Sequence, residues 1–326
     1  MGRPVAVVTG AAGFLGRALL RALAPQRCDL LLLTRTGRAS RAALAARDAG
    51  FADERVGVRE VTWSDPDSVR AALADSTIDR VWHLAGRRPM GFDAASLSES
   101  VRANFEPTAA LVGALLERPP GRFVFAGSAE VYGSQPAPFA EDLALAPATP
   151  YAAAKAAAEA VGLAAARGAG LPFTVARMAV VYGPDQEPHM FVPQLVGAAV
   201  RGEPFDMSPG EQVRDLVYVD DAAAALVALG DAGNVPPGIY NVGSGEGVAL
   251  RDLAGLVSRL VLEITGISPG IRMGARPYRP GEIMDYRLDV GRIAQATGWR
   301  AGTSLEQGLR YTIIAAHTRA TLSSQG

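Results

Sequence analysis

A chain of 326 residues, 49% hydrophobic and 20% charged, has the makeup of a folded protein of one large domain or two closely joined ones. Its formal net charge of −1 gives no electrostatic pull toward nucleic acid or an anionic membrane, so neither is expected as a partner. Cys28 is alone, His83, His189 and His317 lack metal-ligand spacing, and no apolar run is long enough to span a bilayer; the chain reads as cytoplasmic, metal-free and without disulfides.

The first predicted strand, Val5–Thr9, follows Met1 too closely for a signal peptide. It runs into Gly10-Ala-Ala-Gly13-Phe-Leu-Gly16 and a helix-like segment, Phe14–Ala24. Glycines at Gly10, Gly13 and Gly16 allow a tight turn and close backbone approach to a pyrophosphate. The helix start at Phe14 and Leu15 offers free N–H groups and a favourable dipole. The expectation is a dinucleotide loop.

The second strand, Leu30–Leu33, ends at Thr34, eighteen residues after Gly16. An acidic residue there would hold a ribose 2′-OH. None is present, while Arg35 and Arg38 could meet a 2′-phosphate. This predicts NADP as the cofactor, with NAD possible.

Further apolar runs follow at Val56–Val61, Arg80–Leu84, Arg122–Ala126 and Phe173–Arg177, separated by helical patterns at Ser40–Ala49, Asp67–Ala74, Ser96–Glu117 and Tyr151–Arg167. Continuous apolar strands alternating with helices predict an α/β Rossmann fold, a doubly wound parallel sheet covered on both faces. The last of these helices opens with Thr149 as a plausible N-cap and Pro150 at its first position.

That helix carries Tyr151 and, four residues on, Lys155. Lys and Arg together number 32, and Lys155 is the only lysine, so the other 31 are arginine. Arginine stays charged and planar, whereas lysine is a compact, tunable cation. Residues i and i+4 share a helix face. The Lys155 ammonium is therefore expected to favour the Tyr151 phenolate, with help from the helix dipole, and to lower a pKa normally about 10. The tyrosine then serves as a general acid/base.

Beyond Gly183 proline and glycine cluster, at Gly183–Pro188, Val235–Gly238, Ser268–Gly270 and Pro277–Gly281, and two more strand-like pieces appear at Asp215–Val219 and Gly238–Val242. The expected organisation is a dinucleotide-binding domain over 1–182, with returns near 211–230 and 238–244, and a smaller, interleaved C-terminal substrate-binding lobe over 183–326. Val-Tyr-Gly occurs at Val131–Gly133 and Val181–Gly183, each after a strand, at the sheet edge where ligands bind. Apart from Thr321–Gly326 no low-complexity tail is seen.

Together these residues resemble the extended short-chain dehydrogenase/reductase family, in its nucleotide-sugar epimerase/dehydratase/reductase branch, from about Val5 to Ile314. The resemblance implies that Ser128, in Gly127-Ser-Ala-Glu-Val-Tyr-Gly133, hydrogen-bonds the substrate oxygen, that Tyr151 passes the proton, and that Lys155 binds the nicotinamide ribose. It likens Asn104 to the family's supporting helix asparagine and His83-Leu84-Ala85-Gly86 to the segment lining the cofactor, His83 itself reading as a packed strand-end residue. Arg214, in Gln212-Val-Arg-Asp-Leu-Val-Tyr-Val-Asp-Asp221, and Arg279, in Arg279-Pro-Gly-Glu282, match arginines that face the sugar-nucleotide diphosphate. Tyr240-Asn-Val-Gly-Ser244 resembles a late strand of the branch.

Some positions depart from the pattern. Arg177 is followed by Met178, Ala179 and Val180, without the usual asparagine, and Thr62 replaces an adenine-contacting aspartate. The 4,6-dehydratases pair an Asp and a Glu after the hydroxyl residue; here stand Ala129 and Glu130, which argues against that activity. Glu130 reads equally as a proton-transfer group or as a hydrogen-bonding neighbour. The resemblance therefore implies hydride transfer at a sugar carbon, C4 above others, by an NADPH-dependent 4-ketoreductase as the first reading, with a redox-neutral 4-epimerase that retains NAD as the alternative. A non-catalytic NADP sensor is the reading from another class. A homodimer is expected from the resemblance alone.

Overall fold

The computed structural model describes residues 3–231, 233, 235–279 and 281–323. Pro280, inside the Arg279–Glu282 motif, and the last three residues of Thr321–Gly326 lie outside the described residues.

In chain order the strands are β1 (Val5–Thr9), β2 (Asp29–Arg35), β3 (Val56–Val61), β4 (Ile78–His83), β5 (Arg122–Ser128), β6 (Phe173–Met178), β7 (Val180–Tyr182), β8 (Phe205–Asp206), β9 (Val213–Tyr218), β10 (Ile239–Val242), β11 (Gly247–Ala249), β12 (Ile271–Arg272) and β13 (Asp285–Tyr286). The helices are α1 (Phe14–Leu23), α2 (Ala39–Asp48), α3 (Pro66–Leu73), α4 (Ala94–Ser100), α5 (Glu106–Leu115), α6 (Pro150–Ala169), α7 (Phe191–Arg201), α8 (Val219–Asp231), α9 (Leu250–Thr265), α10 (Gly291–Thr297) and α11 (Leu305–Ser323). No described helix is long and apolar enough to cross a membrane.

The main sheet runs β10-β6-β5-β4-β1-β2-β3 with every pair parallel. This is the doubly wound Rossmann arrangement, and the strand order reverses between β1 and β4, where a crevice opens at the strands' carboxyl ends. The period-2 alternation of strands divides the apolar side chains between two cores. Ala6, Val8, Leu30 and Leu32 pack on one face, while Val7, Leu31, Leu33 and Val81 pack on the other. That two-sided burial explains why the strands are continuous apolar runs.

The expected helix over Ser96–Glu117 is interrupted. Residues Val101–Phe105 form a π turn between α4 and α5. Pro107 supplies a cause: it has no N–H to return to the preceding turn, and its ring crowds the carbonyl four residues back. The helix widens there, and the N–H of Glu106 reaches Val101 O.

The second half splits between layers. Gly238–Val242 becomes β10 at the edge of the main sheet, and α8 packs against α1. The strand expected at Asp215–Val219 is β9, which lies in a separate small sheet with β7, β11 and β13. A third core, built on α7, α9 and α11 through Leu195, Val196, Leu253, Val257, Leu309 and Ile313, fills this smaller lobe.

Candidate active site

The turn after β1 fits a dinucleotide on its own geometry. At Gly16 a Cβ would lie 2.1 Å from the Gly10 carbonyl, so no larger residue can let α1 start so close to the loop. No side chain caps α1 and its first turn holds no acid, which leaves the N–H groups of its start, Phe14 and Leu15 among them, to an external anion.

Across the switch point, Thr9 Oγ1 accepts the N–H groups of Leu84 and Ala85 at 3.2 and 3.0 Å. The same hydroxyl pairs with His83 Nδ1 at 2.6 Å, and His83 Nε2 pairs with Thr108 Oγ1 at 3.0 Å. His83 is fully buried against Phe125. Burial, then the Lys155 charge, pushes its pKa down to about 3, so it is a neutral linker of β1, β4 and α5. The segment it anchors reaches Gly86, where a Cβ would meet Asn104 Oδ1 at 2.7 Å and Lys155 Nζ at 3.3 Å. Asn104 sits in the π turn, and its amide both donates to Arg87 O (2.8 Å) and accepts from Arg87 N (3.2 Å), fastening the loop to the helix.

Thr149 caps α6 by accepting the Ala152 N–H at 3.1 Å, and Pro150 occupies the first turn. Tyr151 and Lys155 thus project from a fixed helix start. Tyr151 stands close enough to Ser128, at the end of β5, for that hydroxyl to favour its phenolate, and Ser128 Oγ accepts the Glu130 N–H at 3.2 Å. Lys155 is buried, donates to Ala126 O at 2.8 Å, and lies 4.8 Å from the Phe125 ring centroid.

The electrostatics correct one expectation. Tyr151 is not brought toward neutrality: desolvation and then the Glu130 charge push its pKa up to about 12, against smaller downward pulls from Ser128 and Arg88. Lys155 does not figure in that balance. Its ammonium is turned to the Ala126 carbonyl, and burial lowers its own pKa to about 8. In this geometry the tyrosine is a phenol.

The cleft contains residues that sequence reasoning missed. Arg88 donates to Glu130 from Nε at 2.7 Å and Nη2 at 3.3 Å, and its guanidinium lies 5.9 Å from the Tyr151 ring centroid. Glu130 is therefore an ion-paired wall of the site. Tyr286, on β13, is buried beside it, and burial together with Glu130 and Tyr151 keeps it a phenol. Arg214 stacks 6.0 Å from the Tyr286 centroid, pairs with Glu282, and donates to the carbonyls of Val213 and Ile283 at 2.8 and 2.7 Å. Arg279 is exposed, and its carbonyl accepts the Glu282 N–H at 3.1 Å. Arg35 and Arg38 are exposed beside the end of β2, far in the fold from Ser128, Tyr151 and Lys155. Arg88 carried no signal in a chain with 31 arginines, and Tyr286 none outside a motif. Among the described residues no three His, Cys, Asp or Glu side chains converge as a metal ion requires.

Comparison with known proteins agrees with this geometry. A family model described as the NAD dependent epimerase/dehydratase family matches residues 6–243. The dTDP-glucose 4,6-dehydratase of Salmonella typhimurium is 28% identical over 337 residues, covering 94% of this chain and 91% of its own. Among solved structures, MoeE5 in complex with UDP-glucuronic acid and NAD aligns with a TM-score of 0.79 at 30% identity, over 97% of this chain and 99% of that one. The UDP-glucose 4-epimerase of Thermus thermophilus in complex with NAD gives 0.80 at 26% identity, again over 97% and 99%.

Proposed function

Since the chain belongs to the NAD dependent epimerase/dehydratase family and is an enzyme of that nucleotide-sugar family, we propose that it inverts a hydroxyl-bearing carbon of a nucleotide sugar, C4, using NAD that stays bound through the cycle. The observation that carries this reading is the meeting of Ser128, Tyr151 and Lys155 beside the dinucleotide turn, next to a buried Ala129 that has no proton to move. Elimination of water toward a 4,6-dehydrated sugar needs an acid that Ala129 cannot supply, although the Salmonella relative carries that activity in its name.

Bound NAD supplies the acceptor and donor of hydride. The Gly10–Gly16 turn and the α1 N–H groups would hold its diphosphate, the Leu84–Gly86 segment would line it, and Asn104 keeps that segment in place. Lys155, freed from Ala126 O, binds its ribose. Ser128 would donate to the sugar oxygen and Tyr151 would exchange the proton there, from a phenol whose pKa burial and Glu130 push up to about 12. Arg214, with Arg279, holds the substrate diphosphate, Arg214 exchanging the Glu282 carboxylate for phosphate oxygens.

A second reading, an NADPH-dependent 4-ketoreductase, is favoured by one observation: Arg35 and Arg38 stand exposed beside the end of β2. We also propose that two copies pair through α6, whose Ala153, Ala157, Ala160 and Ala164 form an exposed small-residue face, together with exposed Leu97 of α4.

The test starts from protein purified without added nucleotide. Denaturation and mass spectrometry are expected to release NAD near one per chain, and UDP- or dTDP-hexoses are expected to give their C4 epimers without net change in NADH. Tyr151→Phe should lower turnover about 10²–10⁴-fold and still retain NAD. Stoichiometric NADPH oxidation with a 4-keto sugar nucleotide, and no epimer, would replace this reading with the reductase.

A further inference from the structure

The missing acid at the end of β2 has a substitute on the neighbouring strand. In the parallel register Thr34 lies opposite Glu60 of β3. The Glu60 carboxylate reaches over the loop that follows β2, and its Oε1 accepts the backbone N–H groups of Arg38 and Ala39 at 3.1 and 3.0 Å. Gly37, at φ 76°, makes the turn that aims these donors at one point. The N–H groups of Ala39 and Gly37 hold the Glu60 carboxyl below its usual range, so it is an anion at neutral pH.

We propose that Glu60 sets the cofactor choice of this chain, admitting NAD and opposing NADP. This rests on the dinucleotide reading of the site but not on the identity of the sugar. A 2′-phosphate at the end of β2 needs N–H donors and cations. Arg35 and Arg38 could supply cations, but the converging N–H groups at the start of α2 are already taken by an anion tethered to the next strand. A phosphate would have to displace that carboxylate and sit within contact distance of its charge. A ribose 2′-OH has no such conflict, because a carboxylate oxygen has more than one lone pair and can accept from it. The acid that a dinucleotide fold ordinarily places on β2 is thereby supplied from β3, one strand over.

The experiment uses nucleotide-stripped full-length protein, with NAD⁺ and NADP⁺ titrated separately by calorimetry. Wild type is expected to bind NAD⁺ at least about tenfold more tightly than NADP⁺. Glu60→Gln keeps an acceptor and removes the charge; Glu60→Ser also vacates the N–H groups. Both should raise NADP⁺ affinity and narrow the ratio about tenfold, Glu60→Ser more than Glu60→Gln, with circular dichroism unchanged. A wild-type preference for NADP⁺, or an unchanged ratio in both folded variants, overturns the proposal while leaving the nucleotide-sugar reading intact. Binding of neither dinucleotide would overturn both.

Discussion

Arg177 donates to both carboxylate oxygens of Glu159, from Nε at 3.1 Å and Nη2 at 2.5 Å, with the two side chains 3% and 2% exposed. Glu159 lies one helical step beyond Lys155 and two beyond Tyr151, so all three share a face of α6. The same guanidinium lies 4.7 Å from the Tyr132 ring centroid and donates to Glu141 O at 3.1 Å, while Tyr132 OH donates to Asn241 Oδ1 at 2.7 Å. One buried cation thus ties α6 to β6 and to the turn after Ser128.

Arg177→Met is expected to destabilise the fold by about 3–5 kcal/mol, because it strands the Glu159 carboxylate in the core. Replacing both partners by apolar residues should recover much of that loss. Urea unfolding of the single and double variants checks this; equal stability of Arg177→Met and wild type would show that the pair contributes nothing.

The ultraviolet titration of Tyr151, read as wild type minus Tyr151→Phe in cofactor-free protein, should show ionisation near pH 12, above the ordinary tyrosine value of 10. Glu130→Gln should move it down, since it removes the charge that opposes the phenolate and frees Arg88 to favour it. A wild-type midpoint below 10 would mean that Lys155 controls the phenol after all.

His83 gives stability a particular acid dependence. Its folded pKa, about 3, lies below the unfolded 6.5, so the unfolded chain binds the extra proton between those values. Stability therefore falls as pH drops from about 6.5 toward 3, by at most about 1.4 kcal/mol per pH unit from this group. His83→Gln should flatten that slope in denaturation curves taken between pH 4 and 6.5, even if it lowers the plateau. An unaltered slope would place the acid sensitivity elsewhere.

The strands and the Tyr151 helix were legible because burial on both sheet faces and an N-cap leave local marks: Leu30–Leu33 could hardly be anything but an inner strand, and Thr149-Pro150 announces a helix. The interruption at Val101–Phe105 was not, because a periodic pattern does not reveal how Pro107 is accommodated. Within the site, Tyr151 and Lys155 stood out by spacing and by the scarcity of lysine, and Ser128 by the family resemblance. Arg88 and Tyr286 did not, because each meets Glu130 only through the fold, and Glu60 did not, because only strand pairing sets it opposite Thr34. The Tyr151–Lys155 pairing shows a different limit: the spacing put both on one face, yet could not show that the ammonium would turn to Ala126 O.

A solitary amine has a use that thirty-one arginines cannot share. Apart from a terminal α-amino group, reductive methylation with ¹³C-formaldehyde can mark this protein at Lys155 alone. The protein then carries one side-chain spectroscopic reporter, at the lysine proposed to bind the cofactor beside Tyr151. Its chemical shift would register the charge on that nitrogen, and its reactivity would register whether the site is filled, with no engineered residue and no other lysine signal.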